Sequence, residues 1–237
     1  MRFEIVSRTD VGLKRKINED SVLADPARAL WAVADGMGGH EAGEVASAMV
    51  VQALSDLPEG NTLDATVAAA QAALTEVNRS LIRLAQSRLS ERSIGTTVVG
   101  LAFADGQYRC FWAGDSRAYQ LRNGKIERLS RDHSLVQDMV DVGMLTPQEA
   151  EHHPNGNVIT RAVGVADELV LDVVGGDARP ADQFILASDG LTRVVNDQEL
   201  AAELLRNSPS RAADALIEMV LMRGAPDNVS LVIVKLF

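Results

Sequence analysis

Five aspartates, Asp20, Asp35, Asp115, Asp189 and Asp227, each stand beside a turn at the end of a run that reads as a β-strand. Taken singly, aspartate occupies such turns for reasons of its own. What sets these five apart is a shared position, usually next to glycine or asparagine. Side chains offering only carboxylate oxygen suit a hard divalent cation, Mg²⁺ or Mn²⁺, with water completing an octahedron. Zinc is disfavoured, because one cysteine and four scattered histidines make no ligand cluster. The construction is clearest in LWAVADGMGGHEAGE, from Leu30 to Glu44, where the apolar run from Leu30 to Ala34 meets Asp35-Gly36. A glycine there lets the backbone approach a ligand closely. FILASDG, from Phe184 to Gly190, repeats the arrangement. GLKRKINEDS adds Arg15 beside Glu19 and Asp20; by itself it reads first as a solvated turn, and second as a loop displaying an arginine and a ligand carboxylate.

These residues need a scaffold that returns the chain repeatedly to one place. Phe3 and Ile5 alternate with Arg2 and Glu4, which predicts a first strand. Ala42 to Leu57 reads as a helix ending at Pro58 and Gly60, and Asn61 or Thr62 can cap the next. Leu63, Val67, Ala70, Leu74, Val77, Leu81 and Leu84 then form one apolar stripe, which is core packing without chemistry. From Gly95 the period becomes that of strands. Thr96–Ala104 and Tyr108–Ala113 pair across Asp105-Gly106, and Ala118–Leu121 and Lys125–Leu129 across Asn123-Gly124. Consecutive hairpins imply antiparallel sheet rather than a doubly wound parallel fold.

Leu135 to Val142 reads as a helix, and Thr146-Pro147-Gln148-Glu149 as the start of another. Glu151 to Val165 is polar and irregular, the candidate for a mobile flap within a subregion of about residues 134–165. Strands follow at Leu169–Val174 and Phe184–Ala187, helices at Leu200–Leu205 and Ala212–Met222, and a closing strand at Val229–Leu236. No repeat or linker interrupts them. The expectation is one α+β domain over residues 1–237.

Composition narrows the function classes. A chain of 237 residues with 46% hydrophobic content can bury a substantial core. Thirty-three acidic against 23 basic residues give −10, which argues against a nucleic-acid surface. Cys110, the sole cysteine, excludes an internal disulfide and suits a reducing compartment. Neither a signal peptide nor an apolar run long enough to span a bilayer is present. A soluble, cytoplasmic monomer without a membrane segment is expected.

Six motifs in order resemble the metal-dependent protein phosphatases of type 2C: Arg15 with Asn18-Glu19-Asp20; Asp35-Gly36-Met37-Gly38-Gly39-His40; Gly95-Thr96-Thr97; Gly114-Asp115-Ser116-Arg117; Ser188-Asp189-Gly190; and Asp227-Asn228-Val229. The chain looks most like short bacterial members consisting of a catalytic core alone. The resemblance implies a four-layer αββα sandwich, two central antiparallel sheets flanked by helices, with a metal centre at one end. By that likeness Asp35 bridges two ions, Mn²⁺ or Mg²⁺, and the Gly36 carbonyl holds the first. Asp189 and Asp227 hold the second, with Asp20 ligating directly or through water. Asp115 with Asp189 match a third ion, and Arg15 matches the phosphate-binding arginine.

The activity implied is hydrolysis of phosphoserine or phosphothreonine in proteins by direct attack of a metal-bridging hydroxide, with no phospho-enzyme. The implied partners are phosphorylated proteins, including a cognate bacterial Ser/Thr kinase and its substrates. The chain departs from many eukaryotic relatives in carrying Met37 where they have a histidine; a thioether donates no proton. His40 could instead position substrate, or simply cap the following helix. His133 reads as structural, while His152 and His153 fall in the flap segment.

Rival readings are weaker. Cys110 and Arg117 are one residue too far apart for a cysteine-dependent phosphatase, and Cys110 lies mid-strand. The glycines of Gly36 to Gly43 match a dinucleotide loop only loosely. A phosphatase-like binding module without catalysis is opposed by the retention of every matched acid and of Arg15.

Overall fold

The computed structural model describes residues 2–38, 42–58, 62–87, 93–151 and 153–237. In chain order the elements are β1 (Phe3–Asp10), β2 (Asp20–Asp25), β3 (Leu30–Met37), α1 (Ala42–Ser55), α2 (Leu63–Ser87), β4 (Gly95–Thr96), β5 (Val98–Ala104), β6 (Gln107–Ala113), β7 (Arg117–Arg122) and β8 (Lys125–Arg128). There follow α3 (Leu135–Asp141), α4 (Pro147–Glu151), β9 (Asp172–Asp177), β10 (Gln183–Ala187), α5 (Asp189–Thr192), α6 (Asp197–Arg206), α7 (Pro209–Met222) and β11 (Val229–Leu236).

Two antiparallel sheets result, one ordered β1-β11-β10-β7-β8 and the other β2-β3-β5-β6-β9, with β4 paired to β3. The inner strands β3, β5, β10 and β11 are apolar on both faces because both faces are covered, the usual reason for unbroken hydrophobic runs. In β3, Leu30, Ala32 and Ala34 face a cluster with α1 and α2, while Trp31 and Val33 face the opposite sheet. In β11, Val229, Leu231 and Ile233 meet α5, α6 and α7, while Val232 and Val234 point inward. The layers are therefore helix, sheet, sheet, helix, as the family resemblance implies. Phe184 closes the space between the sheets, its ring 5.1 Å from Phe103 and 4.9 Å from Tyr108 in edge-on contacts.

Both hairpins turn where expected. Asp105-Gly106 and Asn123-Gly124 all adopt positive φ, as a two-residue turn with the twist of the flanking strands requires. The stripe on α2 faces the core through Leu63, Ala70, Leu74, Val77 and Leu81, and Thr62 Oγ1 accepts from Ala65 N at its start. Cys110 is fully buried and free, and burial pushes its thiol up, so it is inert.

Three expectations change. The strand expected over Leu169–Val174 begins only at Asp172 and runs to Asp177. Gln71 of α2 explains the shift: its amide donates to Leu169 O and accepts from Leu171 N, so those backbone groups join no ladder. The strand expected over Thr96–Ala104 breaks at Thr97, whose N–H donates to Asp35 O. The flap segment is not irregular throughout. Thr160 N donates to His133 O, Thr96 and Val163 exchange both backbone hydrogen bonds, and Ala162 and Val163 are buried. Before Ile159 the ties are fewer: Leu135 N donates to Val158 O, and Arg193 donates to Gly156 O.

Phe184→Ala empties the contact between the sheets. It should lower unfolding free energy by about 3–5 kcal/mol, read from the urea midpoint, with the far-ultraviolet dichroism of the folded protein unchanged.

Candidate metal centre

The register brings the acids together. Asp20 opens β2 directly opposite Asp35 in β3. In the other sheet Ala187 pairs with both Arg117 and Leu231, so the end of β10 lies beside the starts of β7 and β11. Asp189, Asp115 and Asp227 occupy those three places, at the same mouth of the sandwich. Asp35 is influenced by the charges of all four others. All five predicted aspartates are thus brought together, Asp20 and Asp115 buried and the rest half-buried.

Glycine makes the approach possible. A Cβ on Gly36 would lie 2.0 Å from Gly43 O and 2.6 Å from Glu19 O, so the end of β3, the start of α1 and the loop before β2 could not meet. A Cβ on Gly190 would lie 1.8 Å from Asn228 O, where α5 crosses the loop carrying Asp227. Hydroxyls and one amide then fix the carboxylates. Ser188 Oγ donates to Asp20 Oδ2 at 2.8 Å and itself accepts from Ser230 N. Thr97 Oγ1 accepts from Asp35 N and pairs with Ser116 Oγ. Asn228 accepts from Glu19 N and donates to Val11 O and Ile17 O, clamping the loop that bears Arg15.

Two guanidinium groups face the acids. Arg15 donates to Asp227 Oδ2 at 2.7 Å from a half-exposed position. Arg193, which the sequence reading did not single out, lies 2.9 Å from Asp189 and 3.5 Å from Asp115. Its signal was available: Arg193 follows Asp189 by one helical turn, an ion-pair spacing. Among the described residues no three acidic, histidine or cysteine side chains form a finished ligand cage, since Asp227, Asp189 and Asp115 engage the arginines and Asp20 engages Ser188. The donor set nevertheless fits a divalent ion. Asp20 Oδ1 is buried with no hydrogen-bond partner, an orphan oxygen that a cation would satisfy.

His40 lies outside the described residues, as does His152. His133 is structural: its Nδ1 accepts from Gly114 N, its ring stacks on Trp112, and its Nε2 sits 3.3 Å from Asp172. His153 Nδ1 accepts from Asn155 N within the flap segment. Arg117 forks onto both oxygens of Asp132, bracing the turn that carries Asp115.

The family model described as Protein phosphatase 2C matches residues 14–224. The chain belongs to this family. It is 38% identical over 227 residues to the serine/threonine protein phosphatase PstP of Mycobacterium tuberculosis, covering 96% of this chain but only 44% of that protein. Among solved structures it resembles PppA, a key regulatory component of T6SS in Pseudomonas aeruginosa, with a TM-score of 0.93 at 41% identity, covering 100% of this chain and 99% of that one. The catalytic domain of PstP in complex with two manganese ions superposes with a TM-score of 0.88 at 36% identity, over 98% of this chain and 97% of that one.

In this phosphatase 2C chain Asp20, Asp35 and Asp115 sit well above the ordinary carboxylate range, and burial raises Asp189 as well. Burial raises Asp35 most, and the charges of Asp20, Asp189, Asp115 and Asp227 add to it. Burial also raises Asp20 to about 7 against the hydrogen bonds from Ser230 and Ser188, and Asp189 and Asp227 push the same way. Asp115 rises to about 7 through burial and Asp189, with Arg193 opposing. Between the unfolded value of 3.8 and about 7, the folded protein keeps protons that the unfolded chain has released. Without divalent cation, stability must therefore fall as pH rises through that window. The melting temperature in EDTA should be lower at about pH 8 than at about pH 6, and Mn²⁺ should reverse the trend by offsetting the ionised acids. A melting temperature indifferent to pH in EDTA would contradict this account.

Proposed function

We propose that the chain is a metal-dependent protein-serine/threonine phosphatase, a single catalytic domain over residues 1–237 with a flap subregion at about 134–165. The observation that carries the reading is the meeting of five aspartates at one mouth of the sandwich, with an arginine fork at its rim. Five carboxylates face two guanidinium groups, an acidic excess that divalent cations would offset. Asp35 would bridge two ions, the Gly36 carbonyl would hold the first, and Asp189, Asp227 and Asp20 would hold the second. Asp115 with Asp189 offers a third position. Manganese is supported by the PstP complex; magnesium is the alternative of like chemistry.

Bound there, such ions supply Lewis acidity that makes a water acidic enough to be a nucleophile near neutral pH and that offsets phosphoryl charge. The chain does the positioning. Arg15 can turn its planar fork from Asp227 to two phosphate oxygens, since it is half exposed and exchanges one anion for another. Its loop is held by Asn228, which keeps the fork at the rim. Met37 offers no proton for the leaving alkoxide. His40 is proposed to help position substrate; the alternative is that a water serves as the acid. The partners are phosphorylated proteins, among them a cognate Ser/Thr kinase, and the expected setting is a cytoplasmic monomer. No helix among the described residues is long and apolar enough to cross a membrane.

Manganese-dependent hydrolysis of p-nitrophenyl phosphate tests the reading. Turnover should vanish with EDTA and with Asp189→Asn. Arg15→Ala should lower kcat/KM by about 10- to 100-fold, the loss of a charge-assisted fork. A folded protein that binds Mn²⁺ without turning over would favour the binding module instead.

The flap makes a separate prediction. Replacing residues 153–157, which precede the ties at Ile159 to Val163, should change preference among phosphopeptides while p-nitrophenyl phosphate turnover stays near wild type. Equal loss on both substrates would remove the flap from substrate selection.

A further inference from the structure

Arg193 closes α5 and reaches three separate parts of the molecule. Its Nε lies 2.9 Å from Asp189 Oδ2, one of its terminal nitrogens lies 3.5 Å from Asp115 Oδ2, and that same nitrogen donates to Gly156 O at 2.6 Å. Asp115 is buried in the turn between β6 and β7, and Gly156 belongs to the flap segment. The guanidinium therefore stands between the two carboxylates matched to a third ion, and it is also a hydrogen-bond tie between the flap and the body.

We propose that Arg193 is a built-in cation that competes with a third divalent ion for Asp115 and Asp189, and that its displacement by that ion unlatches the flap at Gly156. The inference rests on the metal-centre reading above. A guanidinium and a divalent ion cannot share these two carboxylates, because each would replace the other's contacts and their like charges repel. An ion entering there takes both anionic partners from Arg193. The remaining bond to Gly156 O then has no charged anchor on the body. By linkage, the factor by which a latched Arg193 weakens binding of the third ion equals the factor by which that ion weakens the latch. Of the side chains proposed for the first two ions, Asp35, Asp20, Asp227 and Asp189, Arg193 touches only Asp189, through Nε, so their entry leaves the contacts of its terminal nitrogen with Asp115 and Gly156 in place.

The test is a Mn²⁺ titration by calorimetry, run beside hydrogen exchange of residues 153–158, on the wild type and on Arg193→Met, which keeps the reach of the side chain without its charge or donors. Wild type should take up its first ions without change in the flap, then bind a further ion weakly with loss of protection at 153–158. Arg193→Met should bind that further ion about 10- to 100-fold more tightly, the scale of charge-assisted hydrogen bonds no longer lost, and its flap should be unprotected at every Mn²⁺ concentration. Adding Asp115→Asn to Arg193→Met should abolish the further ion. Equal third-ion affinity in wild type and Arg193→Met, or flap protection that ignores Mn²⁺ in the wild type, would overturn the proposal while leaving the two-ion centre intact. Failure of either protein to bind any Mn²⁺ would overturn the metal-centre reading itself. The wild-type exchange experiment decides the latch even if Arg193→Met does not fold.

Discussion

Carboxylates held together out of water repel, and everything at the open end of this sandwich follows from managing that repulsion. Two like charges about 4 Å apart cost about 4 kcal/mol at an effective dielectric of 20. Asp20 and Asp35 face each other across adjacent strands, where like charges directly opposite are unfavourable. Protons, guanidinium groups and divalent cations can each relieve the strain. The folded chain draws on the first through its raised acids and on the second through Arg15 and Arg193. Only the third brings reactivity, and Asp20 Oδ1, buried without a hydrogen-bond partner, is an oxygen that a cation would satisfy.

Such an arrangement persists only on a rigid frame. Strands buried on both faces fix the heights at which Asp35 and Asp189 emerge, because a one-residue slip would turn Trp31 and Phe184 to the wrong side. Around them, fully buried Ser188 and Ser230 and the nearly buried Thr97, Ser116 and Asn228 have their hydrogen bonds satisfied within the protein. A satisfied buried network of this kind resists rearrangement. The site is thus held by neutral groups that accept or donate without adding charge.

Much of this was legible in the residues. Asp-Gly after an apolar run located Asp35, and the repeat of that construction located Asp189, because strand ends and turn chemistry are local properties. The hairpins at Asp105-Gly106 and Asn123-Gly124 were legible for the same reason. What escaped was non-local. Gln71 diverts the backbone of Leu169 and Leu171 from the sheet, a contact between residues about a hundred positions apart. Arg193 looked like one more charged helical residue until the fold carried Asp115 and Gly156 to it. Asn228 stood within a recognised motif, yet its clamp on Val11 and Ile17 becomes visible only when the two ends of the chain are adjacent.

That adjacency sets an order of events during synthesis. Residues 3–10 pair along their whole length with residues 229–236, and the last strand also separates β1 from β10. Pairings so distant in sequence form late, because a long loop must close before they are rewarded. Until Val229–Leu236 has emerged from the ribosome, the loop carrying Arg15 has no Asn228 to hold it and Asp20 has no Ser230 behind Ser188. The mouth of the sandwich therefore assembles in a single event once residues 229–236 are free to pair, rather than strand by strand.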